Sequence, residues 1–362
     1  MKERNMTEQN VTELNVQERN VQERNVQERP AYQLFDDNDG IYNYCPSPVL
    51  TDDTTMYVFY CANTWPGLVI DDIYARKGKL EDGRWTFGDR FRVLQPDRLG
   101  WDCIHVCDPD VIKGEFRYRG ETYSWMMVYL GCDIHHCYHN QIGIAFAKEI
   151  EGPFVKYAGN PIVAYDEMFH WGAGQASVVS LDGKGKFRML YSQTVHEYER
   201  RLQGCRTFWR DFDLSDADHP IMGEEVAMHE GGMDNRDGEG SIAAFNPTIV
   251  WDKSNDLYYL TREGTPFDKS RFPDFIAPYT QVSVISRADF ENNEGGWQTV
   301  YNVDGKDTGY ERNHNAGLVK DAYGWLARQG ILPVATTVSE LKDRDFLWTY
   351  RIYYQELALP TL

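Results

Sequence analysis

Five short segments of this chain share one shape, a small or polar residue leading into β-branched or aliphatic ones. They are CPSPVL (45–50), CDPDVI (107–112), GQASVV (174–179), FNPTIV (245–250) and HNAGLV (314–319). Anchored at Pro48, Pro109, Ala176, Pro247 and Ala316, they recur at steps of 61, 67, 71 and 69 residues. A near-constant period of this length marks a propeller or another repeat array, in which each unit buries its apolar face against its neighbours. Each segment is followed by a second strand-like run: MYVFYCAN, YSWMMVYLG, KFRMLYSQ, DLYYLTREG and the weaker GWLARQGIL. Turn residues such as Asp182-Gly183 separate the pairs, as hairpins require. Third runs follow as DDIYARKG, NQIGIAFAK, CRTFWRDFDL, TQVSVISRA and WTYRIYYQELAL, and fourth ones as GRWTFGDRFRVL, GPFVKY and GWQTVYNV.

Four antiparallel strands repeated five times predict an all-β chain folded as a five-bladed β-propeller, with a central channel and short protected edges. The blades fall roughly at 40–98, 101–165, 170–226, 240–304 and 308–359, within a domain spanning 31–362. Two β-sandwich domains are the alternative, but the even spacing leaves no break near the middle. Ahead of the domain, residues 1–30 carry a pentad repeat, NMTEQ NVTEL NVQER NVQER NVQER, closed by Pro30. On a helix a period of five moves each Val about 140° round the axis, so no apolar stripe forms. The composition reads as a solvated, disordered tail, with a partner-binding helix as the alternative.

Charge narrows the partners. The formal net charge is −19 over 362 residues. Nucleic acid and anionic membrane both call for a basic face and are excluded as expected partners. No run approaches 18 apolar residues, and no apolar leader precedes the domain. With seven cysteines, an odd number, the simplest expectation is reduced thiols in a cytoplasmic protein.

In a propeller blade the innermost strand starts, and the second strand ends, on one face of the disc. Residues distant in sequence therefore meet at one mouth. The inner-strand entrances bring Tyr44, His105, Asp108, Trp171, Gln175, Asn246 and His314, and the second-strand exits bring Trp65, Arg262, Glu263, Arg328 and Gln329. Aromatic faces beside carboxylates, amides and histidines suit a carbohydrate, whose C–H faces stack while its hydroxyls bond.

The stretch DPDVIKGEFRYRGETYSWMMVYLGCD, followed by NQIGIAFAKEIEGPFVKYAGNPIV, resembles a blade of the five-bladed glycoside hydrolases, the arabinanase/β-xylosidase and invertase/levanase families. GAGQASVVSLDGKGKFRMLYSQ and HNAGLVKDAYGWLA resemble later blades of the same group. The resemblance implies that Asp108 is the blade-2 aspartate that stabilises positive charge developing on the sugar. It also implies that His314 is a blade-5 histidine close to an axial ion or water. The blade-1 aspartate expected before PS is replaced by Cys45-Pro46, and blades 3 and 4 offer Gln175 and Asn246.

Hydrolysis of a glycosidic bond needs two carboxyl groups with separated pKa values, roughly 6.5–9.5 Å apart for inversion. The leading expectation is a glycosidase acting, with inversion, on an oligosaccharide or glycoside. Asp108 stabilises the transition state or acts as base, and Glu263, or Glu239 from the Gly-rich GEGS loop, acts as acid. Tyr44, Trp65, His105, Trp171, Gln175, Asn246, Arg262 and His314 bind the sugar. Arg262 and Glu263, as neighbours on a strand, point to opposite faces. No cofactor is required, with a calcium or other ion on the axis near His314 as an option. A non-catalytic carbohydrate-binding propeller is one alternative. A metal- or protein-binding scaffold is another, since CIHVCD and CDIHHCYH place Cys103, Cys107, Cys132 and Cys137 at the same end of one hairpin. Their spacings are permissive for zinc without being diagnostic.

Overall fold

The computed structural model describes residues 30–136, 138–195, 205–234, 245–264, 276–340 and 345–360. Five antiparallel sheets are arranged as a five-bladed β-propeller. The inner strands, one per blade, are Tyr44–Asp52, His105–Tyr118, Ala173–Ser180, Thr248–Asp252 and Arg312–Leu318. Their residues are almost all buried, as expected for strands packed on both faces. Register sets the mouth: His105 pairs with Cys132, and Gly131 pairs in turn with Gln141, so all four lie at one end of blade 2. Tyr44 with Cys61, and Asn63 with Asp71, mark the same end of blade 1.

Neighbouring blades share apolar clusters. Ile112, Met126, Val128 and Phe146 of blade 2 pack with Val178, Met189 and Phe212 of blade 3. Ile249, Tyr258 and Leu260 of blade 4 pack with Val179, Leu190 and Trp209 of blade 3. Burial of this kind stabilises by about 25 cal/mol per Å² of apolar surface. No helix among the described residues is long and apolar enough to cross a membrane.

One residue in each blade adopts a left-handed backbone where the inner strand begins: Cys45 (φ 50°), Asp108 (46°), Gln175 (54°), Asn246 (53°) and Asn315 (42°). Apart from Asn and Asp, few residues with a Cβ tolerate this region. In blades 1, 2, 3 and 5 the pairing register shifts at these points, for example between Cys107 and Asp110. The kink recurs in every blade, so it belongs to the fold and not to one catalytic residue. It also corrects the sequence register of blade 1, where the counterpart of Pro109 is Pro46, two residues before Pro48.

Blade 5 departs further from expectation. Its second strand is Ile331–Ser339, whereas GWLARQGIL holds mostly the turn before it. Arg328 and Gln329 therefore lie at the face opposite the mouth, where they contact Glu356 and Asp252. Pro333 inside the true strand hid it, because proline argues against a central strand. The outer strand of the same blade comes from the other end of the chain: Tyr32–Gln33 pairs with Tyr353 and Tyr354 and closes the ring.

Candidate functional site at the axis

The five left-handed residues and their successors, Pro46, Pro109, Ala176, Pro247 and Ala316, with Thr248, line a hollow on the axis. Its volume is about 40 Å³, room for a few waters or one protruding group but not for a sugar ring. A saccharide would sit above it, among the loops of the mouth. Among the described residues, Asp108 is the only carboxyl residue lining this hollow.

Asp108 sits in a nest of thiols. Cys107 Sγ lies 3.2 Å from Asp108 Oδ1 and 2.9 Å from the Tyr44 hydroxyl, and its one S–H serves either acceptor. The Asp108 amide donates to Cys61 Sγ at 2.9 Å, and Asn315 Nδ2 donates to Cys45 Sγ at 2.7 Å. The Tyr44 hydroxyl donates to Asp71 Oδ2 at 2.7 Å, Tyr42 donates to the other oxygen, and His105 Nδ1 lies 3.4 Å from Asp71. Burial raises the pKa of Asp108, the nearby Asp71 carboxylate raises it further, and the Cys45 and Cys107 hydrogen bonds oppose the rise. Burial likewise pushes the Cys45 and Cys107 thiols well above their usual range.

Across the axis, Glu263 is wholly buried. Its Oε1 accepts from Asn246 Nδ2 at 2.8 Å and from the Asn315 amide at 2.7 Å, and it lies 3.1 Å from His314 Nδ1. His314 in turn stacks on Tyr350. Three amide oxygens at the hollow, Gln175 Oε1, Asn246 Oδ1 and Asn315 Oδ1, have no hydrogen-bond partner among the described residues, nor has Glu263 Oε2. Buried acceptors of this kind ordinarily find a donor.

The structure thus brings Asp108, Gln175 and Asn246 to the hollow, with Tyr44 and His105 immediately behind Asp108 and His314 behind Glu263. Trp171 is half-buried against Phe245 and the Cys45–Cys61–Cys107 cluster. Trp65 is 67 % exposed in the loop between the second and third strands of blade 1. Arg262 points away from the axis, as strand alternation requires. Its guanidinium donates to Gln281 Oε1 and to the carbonyls of Met233 and Asp234, so it secures the chain entering blade 4. Glu239 and Cys137 lie outside the described residues.

Of the three described cysteines expected as an alternative metal set, only Cys107 joins the axial cluster. Cys132 donates to the Ile134 carbonyl, and Cys103 stands apart. The partners of Cys107 are instead Cys45 and Cys61 from blade 1. No motif spacing could have signalled them, because they meet only once the two blades are superposed. Asp71 was equally hidden, its role being set by Tyr42 and Tyr44 from another strand.

The fold and its axial site define a five-bladed propeller with a polar mouth. No protein-family model and no curated protein matches the sequence. Solved structures do match the fold. An endo-arabinase from Bacteroides thetaiotaomicron is similar with a TM-score of 0.55 and 11 % identity, over 92 % of this chain and 99 % of that one. The α-L-arabinofuranosidase of Podospora anserina, in complex with cellotriose, gives 0.56 and 10 %, over 91 % and 96 %. The GH43_1 enzyme from Xanthomonas citri, complexed with xylotriose, gives 0.54 and 12 %, over 91 % and 90 %. The resemblance read from blade 2 thus extends to the architecture of the whole domain.

Proposed function

We propose that the protein is a glycosidase-like propeller that takes an oligosaccharide at its axial mouth, with Asp108 as the carboxyl that meets the scissile bond. The observation that carries this reading is the set of unpaired acceptors, Gln175, Asn246 and Asn315, arranged round the same hollow as Asp108. They call for a ligand that brings several O–H donors to one point, which a sugar does. The similarity to arabinose- and xylose-active enzymes supports the choice of class. An acid whose pKa is raised by burial suits proton donation to a leaving oxygen. Asp108 therefore takes the acid role that the sequence assigned to Glu263 or Glu239. Glu263 serves better as the buried anchor for Asn246 and Asn315, and Glu239 is a candidate for the second carboxyl.

A panel of chromogenic arabinosides, xylosides and glucosides, assayed with the native chain and Asp108→Asn, tests the reading. Turnover should drop about 10²–10⁴-fold in the variant, the usual contribution of a positioned acid. In the native chain turnover should fall as pH rises through the elevated pKa of Asp108, because the donor then loses its proton. A second reading, a sugar-binding propeller without hydrolysis, is favoured by Asp108 being the sole carboxyl among the described residues that line the hollow. Oligosaccharide binding with no turnover on any substrate would select it, and the absence of both would sink the proposal.

A further inference from the structure

We propose that Cys45, Cys61, Cys107 and Asp108 form a binding site for one soft divalent cation, zinc above all, at the floor of the axial hollow. Each contributes one donor atom, all four atoms lie within 4.8 Å of one another, and all four residues are buried. In a zinc site with Zn–S bonds of about 2.3 Å, tetrahedral donors stand roughly 3.8 Å apart. A small contraction of the cluster is therefore enough to close round the ion. Three sulfurs and one carboxylate are a soft set that selects zinc over calcium or magnesium, which prefer all-oxygen cages.

Asn315 Nδ2 and the Asp108 amide already aim N–H donors at Cys45 and Cys61. Donors of this kind, placed behind metal ligands, fix their orientation and stabilise their charge. The hollow lined by Cys45 and Asp108 supplies an entry path from the mouth. Binding would expel the protons of all three thiols, and that of Asp108 where it is protonated, in exchange for four metal–ligand bonds. Because thiols bind the ion only after losing their protons, affinity should rise with pH.

The site shares Asp108 with the proposed sugar chemistry, and a bound cation would keep that carboxyl from donating a proton. Turnover is accordingly expected from the metal-free form. Metal content is read without any sugar, so a protein that hydrolyses nothing could still bind zinc, and the reverse.

The full chain, reduced, loaded with zinc and then dialysed extensively, should retain about one zinc per chain by elemental analysis. Loading with cobalt(II) instead should produce the sulfur-to-metal charge-transfer absorption of a thiolate site. Cys61→Ser and Cys45→Ser should lose both signals, Asn315→Ala should weaken affinity about 10–100-fold, and Cys103→Ser should change nothing. Far-UV circular dichroism checks the fold of each variant. Should Cys61→Ser fail to fold, Cys45→Ser, at the wall of the hollow, carries the test. The proposal is overturned by no retained metal, by retention undiminished in both serine variants, or by a thiol count in denaturant short of seven by a pair.

Discussion

Two residues beyond Cys45, Asp108 and Gln175 lie Ser47, Asp110 and Ser177, and there the axis is tied shut. Asp110 accepts from Ser47 at 2.7 Å, from Ser177 at 2.8 Å and from the Val178 amide at 2.7 Å. Lys320, wholly buried, reaches the same carboxylate at 2.5 Å, and Ser177 accepts from the Ile249 amide of blade 4. The inner strands of blades 1, 2 and 3 thus meet Lys320, which follows the inner strand of blade 5, at one ion pair, and blade 4 joins them through Ser177. Burial lowers the pKa of Lys320 and the Asp110 charge opposes the fall, so the Lys320 charge depends on Asp110. Asp110→Ala should cost about 3–5 kcal/mol, the penalty of leaving a buried charge unpaired. Denaturant unfolding measures it, and adding Lys320→Met to Asp110→Ala should recover part of the loss. The sequence showed both aspartates in CDPDVI but not their division of labour. Asp108 stood out because it precedes proline. Asp110 looked like an ordinary strand residue, since its partners come from blades 1, 3 and 5. Gln175 and Cys45, unusual in a left-handed backbone, were legible only through the repeat.

The three inner strands of blades 1 to 4 were readable because each is a run of four or more apolar or alternating residues between turn signals. Closure of the ring was not. Its outer strand, Tyr32–Gln33, is two residues long and pairs with strand residues more than 300 positions away. Around it Leu34 and Phe35 are buried, Tyr32 packs against Tyr354, and Arg351 holds Asp36 at 2.6 Å. A chain beginning at Pro30 should match the full chain in thermal unfolding. One beginning at Asp36 should lose about 3–6 kcal/mol, the burial of Leu34 and Phe35 at roughly 1.5–3 kcal/mol each. Equal melting of the two truncations would show that this strand does not fasten blade 5. The seam it guards is tight: a Cβ at Gly317 would come within 1.9 Å of the Pro46 carbonyl oxygen, so blades 1 and 5 touch backbone to backbone.

Taken whole, the molecule presents a formal charge of −19 around a mouth whose described lining includes amides, thiols and one carboxyl. A field of one sign repels ligands of that sign and is screened over about 8 Å at physiological ionic strength. Among the described residues the rim includes apolar surface, with Trp65, Leu68 and Val69 exposed in the loop after the second strand of blade 1. Neutral arabino- or xylo-oligosaccharides should therefore bind more tightly than uronic-acid chains of equal length. Raising salt from about 0.01 to 0.5 M shortens the screening length severalfold. Affinity for the acidic chains should rise in step, while that for neutral chains should scarcely move. Titration calorimetry at both salt levels decides the matter. Tighter binding of the acidic chain at low salt would mean that the mouth holds a cationic subsite overriding the molecule's charge, and a neutral oligosaccharide would then be the wrong ligand.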